Sequence, residues 1–434
     1  MVKKLTVIVL ALILGMGSII SFTSRVSALE AGKIWLNDND TITYATINDA
    51  VAAGNTGDTI RISGLFDTTN PAFRDAVVNN GMTLEVASDT SILNDDDNQS
   101  GITIASGLHI KTVDGSALYM QGFKKALDLQ TGAEMNDGNY VFKDNQHVTL
   151  DGNVKGTSRE SLVVDITAYK FNKLHTEDLK LENATLKLTT STIKTWDSLP
   201  ADGGDLPYRE VLNGYTWNFK NVLFVGTGLA ITQMPNILVD DSDISIDYQY
   251  GYAANTESYF ALHGGTVPPS EIRNSTFSLR NTLFGIVVLS TSSLNISNSQ
   301  INLNISGDED KTRNSGSAGI LFEQGGSISI DNSELNFTRT NEFQTPIIIS
   351  GLDATLKIGE NTVINTPATN DRSEEINYVI DNIAAVEADS SAYVVTGGSH
   401  LVKYHKDTMD EVSTTPTNGL VNGNKKLTYF QLAD

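Results

Sequence analysis

One pattern constrains this chain more than any other: apolar, any, Asn, small, any, apolar, any, apolar. It runs over residues 181–188, 272–279, 296–303 and 330–337, over 239–246 with Asp241 in the Asn place, and in a shorter copy over 219–224. The alternation after the Asn is that of a strand with one buried face. The Asn suits the left-handed backbone of a sharp bend, and the residue after it is small enough for a tight corner. In a stack, its amide can hydrogen-bond to the equivalent amide about 4.8 Å away. A second marker precedes the first at constant distance. Gly285-Ile286-Val287-Val288 begins 13 residues before Asn298, Gly319-Ile320-Leu321-Phe322 begins 13 before Asn332, and Gly228-Leu229-Ala230-Ile231 begins 13 before Asp241. These runs read as a second, more fully buried strand.

Fixed anchors joined by loops of variable length predict an all-β fold, a right-handed parallel β-helix, with about a dozen coils and a length of about 60 Å. The alternative for the first third is an antiparallel sandwich, because Asp114-Gly115, Asp137-Gly138 and Asp151-Gly152 are hairpin-like pairs where the Asn repeat is weakest. The ends of a solenoid need covering. Residues 45–54 read as a short capping helix with Thr46 as N-cap, Ile47, Ala50 and Val51 on one face, and Gly54 at its end. Residues 57–62 then predict the first strand, and residues 393–396 the last. The solenoid is expected over 29–396, and residues 397–434 are expected to be a cap or a junction.

Residues 1–28 read as an export signal: Lys3 and Lys4, an apolar run from Leu5 to Phe22, then Val26-Ser27-Ala28 at a cleavage site. The expected location is therefore secreted or cell-surface, with no membrane insertion after cleavage. The absence of cysteine fits a Gram-positive exported protein better than an animal one. Removing Lys3, Lys4 and Arg25 takes the net charge from −22 to −25. So acidic a chain disfavours nucleic acid, anionic membrane and, unless calcium bridges the two, acidic polysaccharide as partners.

Thr46-Ile47-Asn48-Asp49-Ala50-Val51, followed by Gly57-Asp58-Thr59-Ile60, resembles the opening segment of the pectate-lyase-like β-helix superfamily, and the Asn-Ser repeats resemble its coils. The tail from Thr415-Pro416-Thr417-Asn418-Gly419 through Gly423-Asn424-Lys425-Lys426-Leu427 is similar to tails of Gram-positive surface adhesins with a pectate-lyase-like adhesive domain. The resemblance implies an adhesin-like module that binds a glycan or a host or matrix surface. The superfamily also contains lyases and hydrolases, so fold alone does not choose between them.

For lyase chemistry, which needs carboxylates beside a basic group, the best constellation is Asp240, Asp243, Arg273 and Arg280. Its plainer reading is surface charge on a solvated strand face. No Gly-His-Gly with paired Asp, no Gly-x-Ser-x-Gly and no metal-spaced histidine occurs. No cofactor is expected. Calcium is the one metal considered, at Asp95, Asp96 and Asp97, which also read as a solvated turn. Aromatic rings stack on sugars, and Trp196, Trp217, Tyr248, Tyr250, Tyr252 and Tyr259 cluster around two insertions. They are the candidate ligand-binding residues, with packing of the insertions as the alternative.

Overall fold

The computed structural model describes residues 29–67 and 72–167 (without 97 and 114). Beyond these it describes the strands and their near turns: 174–175, 179–189, 192–194, 216–227, 230–231, 236–247, 260–263, 269–289 (without 283), 292–305, 318–322, 326–339, 345–349, 355–359, 362–365, 380–382, 395–396, 400–405 and 427–433. The expected export signal lies outside them. The described chain is all-β with a single helix, Ile47–Ala53. Thr46 caps that helix by accepting from the Asp49 N–H at 3.0 Å, and Ile47, Ala50 and Val51 are buried.

The strands lie in three series, and within each series pairing is parallel. The first runs through His109–Thr112, Glu134–Asn136, Asn153–Lys155, Asn236–Asp240, Ser270–Arg273, Ser293–Ser297 and Ser327–Asp331. The second runs through Ala117–Gln121, Gly138–Lys143, Leu162–Thr167, Asp243–Asp247, Thr276–Thr282, Gln300–Ile305 and Glu334–Arg339. The long strands Thr83–Leu93, Lys180–Thr189 and Thr216–Thr227 belong to both. The third series has two sheets, from Ala76–Val78 to Ala230–Ile231 and from Phe260–His263 to Ile380–Asn382. Inward side chains of all three series form one apolar core, with Trp217, Tyr140, Phe142, Phe224, Phe277 and Phe337 among its largest members.

The bends are where the Asn repeat predicts them. Asn183, Asn221, Asp241, Asn274, Asn298 and Asn332 all have left-handed backbone, with φ between 43° and 52°. Most of their amides form a ladder. Asn332 donates to Asn298 at 2.7 Å, Asn298 to Asn274 at 3.3 Å, and Asn221 to Asn183 at 2.7 Å. The next residue does more than fit a tight corner. Ser275 Oγ accepts from the Ser242 N–H, Ser299 Oγ from the Ser275 N–H and Ser333 Oγ from the Ser299 N–H, at 3.0 to 3.1 Å. Each hydroxyl also donates to a carbonyl two residues back in its own chain. This second ladder satisfies buried backbone donors at a corner where strand pairing is interrupted.

Three expectations are corrected. Every described pairing among the strands from Thr59 to Lys194 is parallel, so the sandwich reading of the first third fails. Asp137-Gly138 and Asp151-Gly152 are corners between consecutive strands of different series, not hairpin turns. The first strand is not at 57–62, because Lys33–Leu36 and Asn39–Thr43 precede it and Lys33–Leu36 pairs antiparallel with Thr59–Phe66. Nor is Val395–Thr396 the last: His400–His405 and Leu427–Ala433 follow, and the latter pairs antiparallel with Val363–Asn365. Antiparallel pairing is thus confined, among the described residues, to the two ends.

Candidate functional site

The four residues proposed for lyase chemistry do not share one face. Asp240 and Arg273 are register partners in the first series, joined by an ion pair of 3.0 Å. Asp243 lies past the Asp241 bend, in the second series, where Arg280 is the register partner of Asp247. Asp240 also accepts from the Asn274 amide at 3.1 Å. Asp243 is held by Arg159 at 2.8 Å. Arg159 sits on the turn before Leu162–Thr167. It also donates to Asn221 Oδ1 at 2.7 Å and to the Asp241 carbonyl. A carboxylate at 241 cannot donate to the Asn ladder, so the Arg159 guanidinium supplies the N–H that Asn221 would otherwise receive. Asp240 and Arg273 thus engage each other, Asp243 is taken by Arg159 from outside the constellation, and the four residues are divided between two strand series.

Of the candidate ligand-binding aromatics, Trp217 is corrected. It alternates inward on Thr216–Thr227, is fully buried and packs at a tilt beside Phe219, with ring centroids 6.2 Å apart. Its ring is not available to a sugar. Trp196, Tyr248, Tyr250, Tyr252 and Tyr259 lie outside the described residues. At the calcium candidates, Asp96 accepts from the Asn98 N–H at 3.0 Å, a turn contact that holds its carboxyl below the usual range. Asp95 is exposed, and Asp97 lies outside the described residues. Among the described residues no group of three His, Cys, Asp or Glu side chains is placed to hold a metal ion.

A different cluster lies on the outward side of the second series. Register sets Ser91, Tyr119, Val141, Asp165 and Lys187 in one line across five neighbouring strands. Outward positions are ordinarily solvated, yet Ser91, Tyr119 and Asp165 are buried. Burial raises the Asp165 carboxyl, against the opposing pull of Lys187 and a Thr167 hydrogen bond. Burial, with Asp144 adding to it, raises the Tyr119 phenol to about 12. Tyr119 donates to Gln121 at 2.7 Å, while Ser91 Oγ is buried with no hydrogen-bond partner. A carboxyl that keeps its proton above the usual range, beside a lysine, is suited to proton transfer or to hydrogen-bonding a hydroxylated ligand. The sequence signal was present in Leu162-Val163-Val164-Asp165-Ile166, a lone charge at an outward position of an apolar strand.

Asp165 gives a pH prediction. A carboxyl with a raised folded-state pKa favours the folded chain when protonated and opposes it when ionised. Asp165→Asn is therefore expected to raise the melting temperature at neutral pH. The gain shrinks as pH falls through the folded-state pKa and its ionisation part is gone below the unfolded value of about 3.9. Thermal unfolding of both proteins across that range checks it, and a difference that is the same at every pH contradicts it.

No protein-family model matches the chain, and no curated protein matches it.

Proposed function

We propose that the chain is an exported, cell-surface protein whose residues 29–396 wind as a right-handed parallel β-helix, and that it works as a non-catalytic, adhesin-like module holding glycan or a matrix surface. The solenoid reading is supported by the constant order of the three strand series within each repeat, by parallel pairing from one repeat to the next, and by the two side-chain ladders at the bend. The antiparallel strands at both ends suit the caps such a rod needs. The cell-surface reading rests on residues 1–28 and on the likeness of the tail to Gram-positive adhesins. The single observation that carries the binding role is the long, polar, hydrogen-bonded outer surface. On the second series, Asn336 donates to Asn302 and Asn302 to Ser278, both at 3.0 Å, so polar groups are held in fixed rows. Prepaid ordering of this kind lowers the entropy cost of binding.

A second reading, a polysaccharide lyase or hydrolase, is favoured by one observation, the buried Asp165 beside Lys187. One experiment separates the two. The chain without residues 1–28 is incubated with a panel of uronic-acid and neutral polysaccharides, with calcium and with chelator, and tested in parallel for glycan binding. The adhesin reading predicts binding without new unsaturated or reducing ends. Turnover that Asp165→Asn abolishes would replace it with the enzyme.

A further inference from the structure

The outward side of the first series carries a charge order that the sequence hides, because its members are 20 to 50 residues apart. Strand register lines up Arg61, Glu85 and Lys111, and again Lys155, Glu182, Lys220, Asp240 and Arg273. The pairs Glu134–His109 and Met135–Ile110 put Asn136 beside Lys111, and Asn136 pairs with Lys155, which joins the two runs. Counting along this line, a cation occupies every second strand without a gap from Arg61 to Arg273.

The charges are not presented equally. The side chains of Lys111, Lys155, Lys220 and Arg273 are 46%, 57%, 62% and 53% exposed, whereas Glu85, Glu182 and Asp240 are 10%, 34% and 26% exposed. Each carboxylate lies below the cations that flank it. Glu85 receives Arg61 at 2.7 Å and Lys111 at 3.0 Å, and Glu182 receives Lys155 and Lys220 at 3.3 Å each. Arg61 is also capped by Asp38. In the adjacent outward column, Glu134 lies 3.0 Å from His109, Lys180 adds a further cation, and Glu271 reaches Arg273 at 3.9 Å. Four presented cations on three recessed carboxylates make a ridge of positive potential on a chain whose net charge is −22. An anionic partner repelled elsewhere would be drawn to this line.

Neighbouring strands are about 4.8 Å apart, so cations on alternate strands are about 10 Å apart. We infer that this ridge binds a linear acidic polysaccharide carrying one carboxylate per disaccharide, lying along the strand stack with an anionic group at each of Lys111, Lys155, Lys220 and Arg273. A disaccharide of extended hexoses spans a similar length, so successive carboxylates meet successive cations. A polymer charged on every sugar leaves alternate carboxylates over Glu182 and Asp240, which penalises it. The inference takes its class of partner from the glycan-binding reading, but its location is independent of the cluster at Asp165.

The test measures binding of the full chain to four probes at low and physiological salt: hyaluronate oligosaccharides, polygalacturonate, dextran and a short DNA duplex. Hyaluronate is expected to bind tightest and to weaken as salt rises. Lys155→Gln and Lys220→Gln are each expected to weaken it about fivefold, with no change in the melting transition beyond what an exposed charge gives. No hyaluronate binding, polygalacturonate or DNA binding as tight, or hyaluronate binding by both variants as tight as that of the unsubstituted chain would each overturn the ridge. Dextran binding without hyaluronate binding overturns it too, while leaving the broader glycan reading in place.

Discussion

Gly285→Val is expected to cost about 3 kcal/mol or more and to leave little folded chain at physiological temperature. Gly285 lies within Phe284–Leu289, which pairs in parallel with Ala318–Phe322. A Cβ added at 285 would overlap the Gly319 carbonyl oxygen of that neighbouring strand. The obstacle is backbone, fixed by strand pairing, so it cannot swing aside as a side-chain tip would. Gly285, which opens one copy of the second sequence marker, is thus required by close approach of two strands and not by turn geometry. Denaturant unfolding measures the loss. Ser297→Ala, on the outward side of the first series, serves as the comparison and is expected to stay within about 0.5 kcal/mol of wild type. Equal stability of Gly285→Val and wild type would mean that these two strands are not packed as described.

The second large effect is expected at Ser299→Ala, about 1–3 kcal/mol. Removing this hydroxyl takes away the acceptor of the Ser275 N–H, which is buried and has no strand partner at the bend. It also removes a bond to the Ser297 carbonyl at 2.7 Å. The volume lost is small, so the cost comes from orphaned polar groups and not from a cavity. Ser333→Ala, one repeat further, is expected to behave alike through the Ser299 N–H. A small-corner role alone predicts that alanine, which is smaller still, is harmless. Loss of stability at both serines against the Ser297→Ala control decides between the two.

Much of the fold was legible because the Asn pattern is local: bend, alternation and buried partner strand all lie within about twenty residues. The left-handed conformation of Asn274, Asn298 and Asn332 and the N-cap at Thr46 could be read from single residues. The outer surface was less legible, because register, not sequence distance, decides which side chains meet. Asp240 and Asp243 are three apart in sequence but fall on different series, since the Asp241 bend intervenes. Arg159 reaches Asp243 across 84 residues, and nothing in the sequence near either one signals it. Trp217 was misread because an aromatic beside an insertion was weighed by its neighbours and not by the inward alternation of Trp217, Phe219 and Val222 with Phe224. The net charge of −22 hid an outward line of cations for the same reason.

The chain has no cysteine, so pairs of introduced thiols can be spin-labelled without background. Labels on Lys111 paired with Lys155, with Lys220 or with Arg273 sit two, four and six strands apart along one line of the first series. Linear stacking predicts label distances that lengthen in proportion, by about 10 Å for each added pair of strands. Distances that level off or shorten from Lys220 to Arg273 would mean that the strands curl back on themselves, and the stacked arrangement on which the ridge and the ladders depend would be wrong.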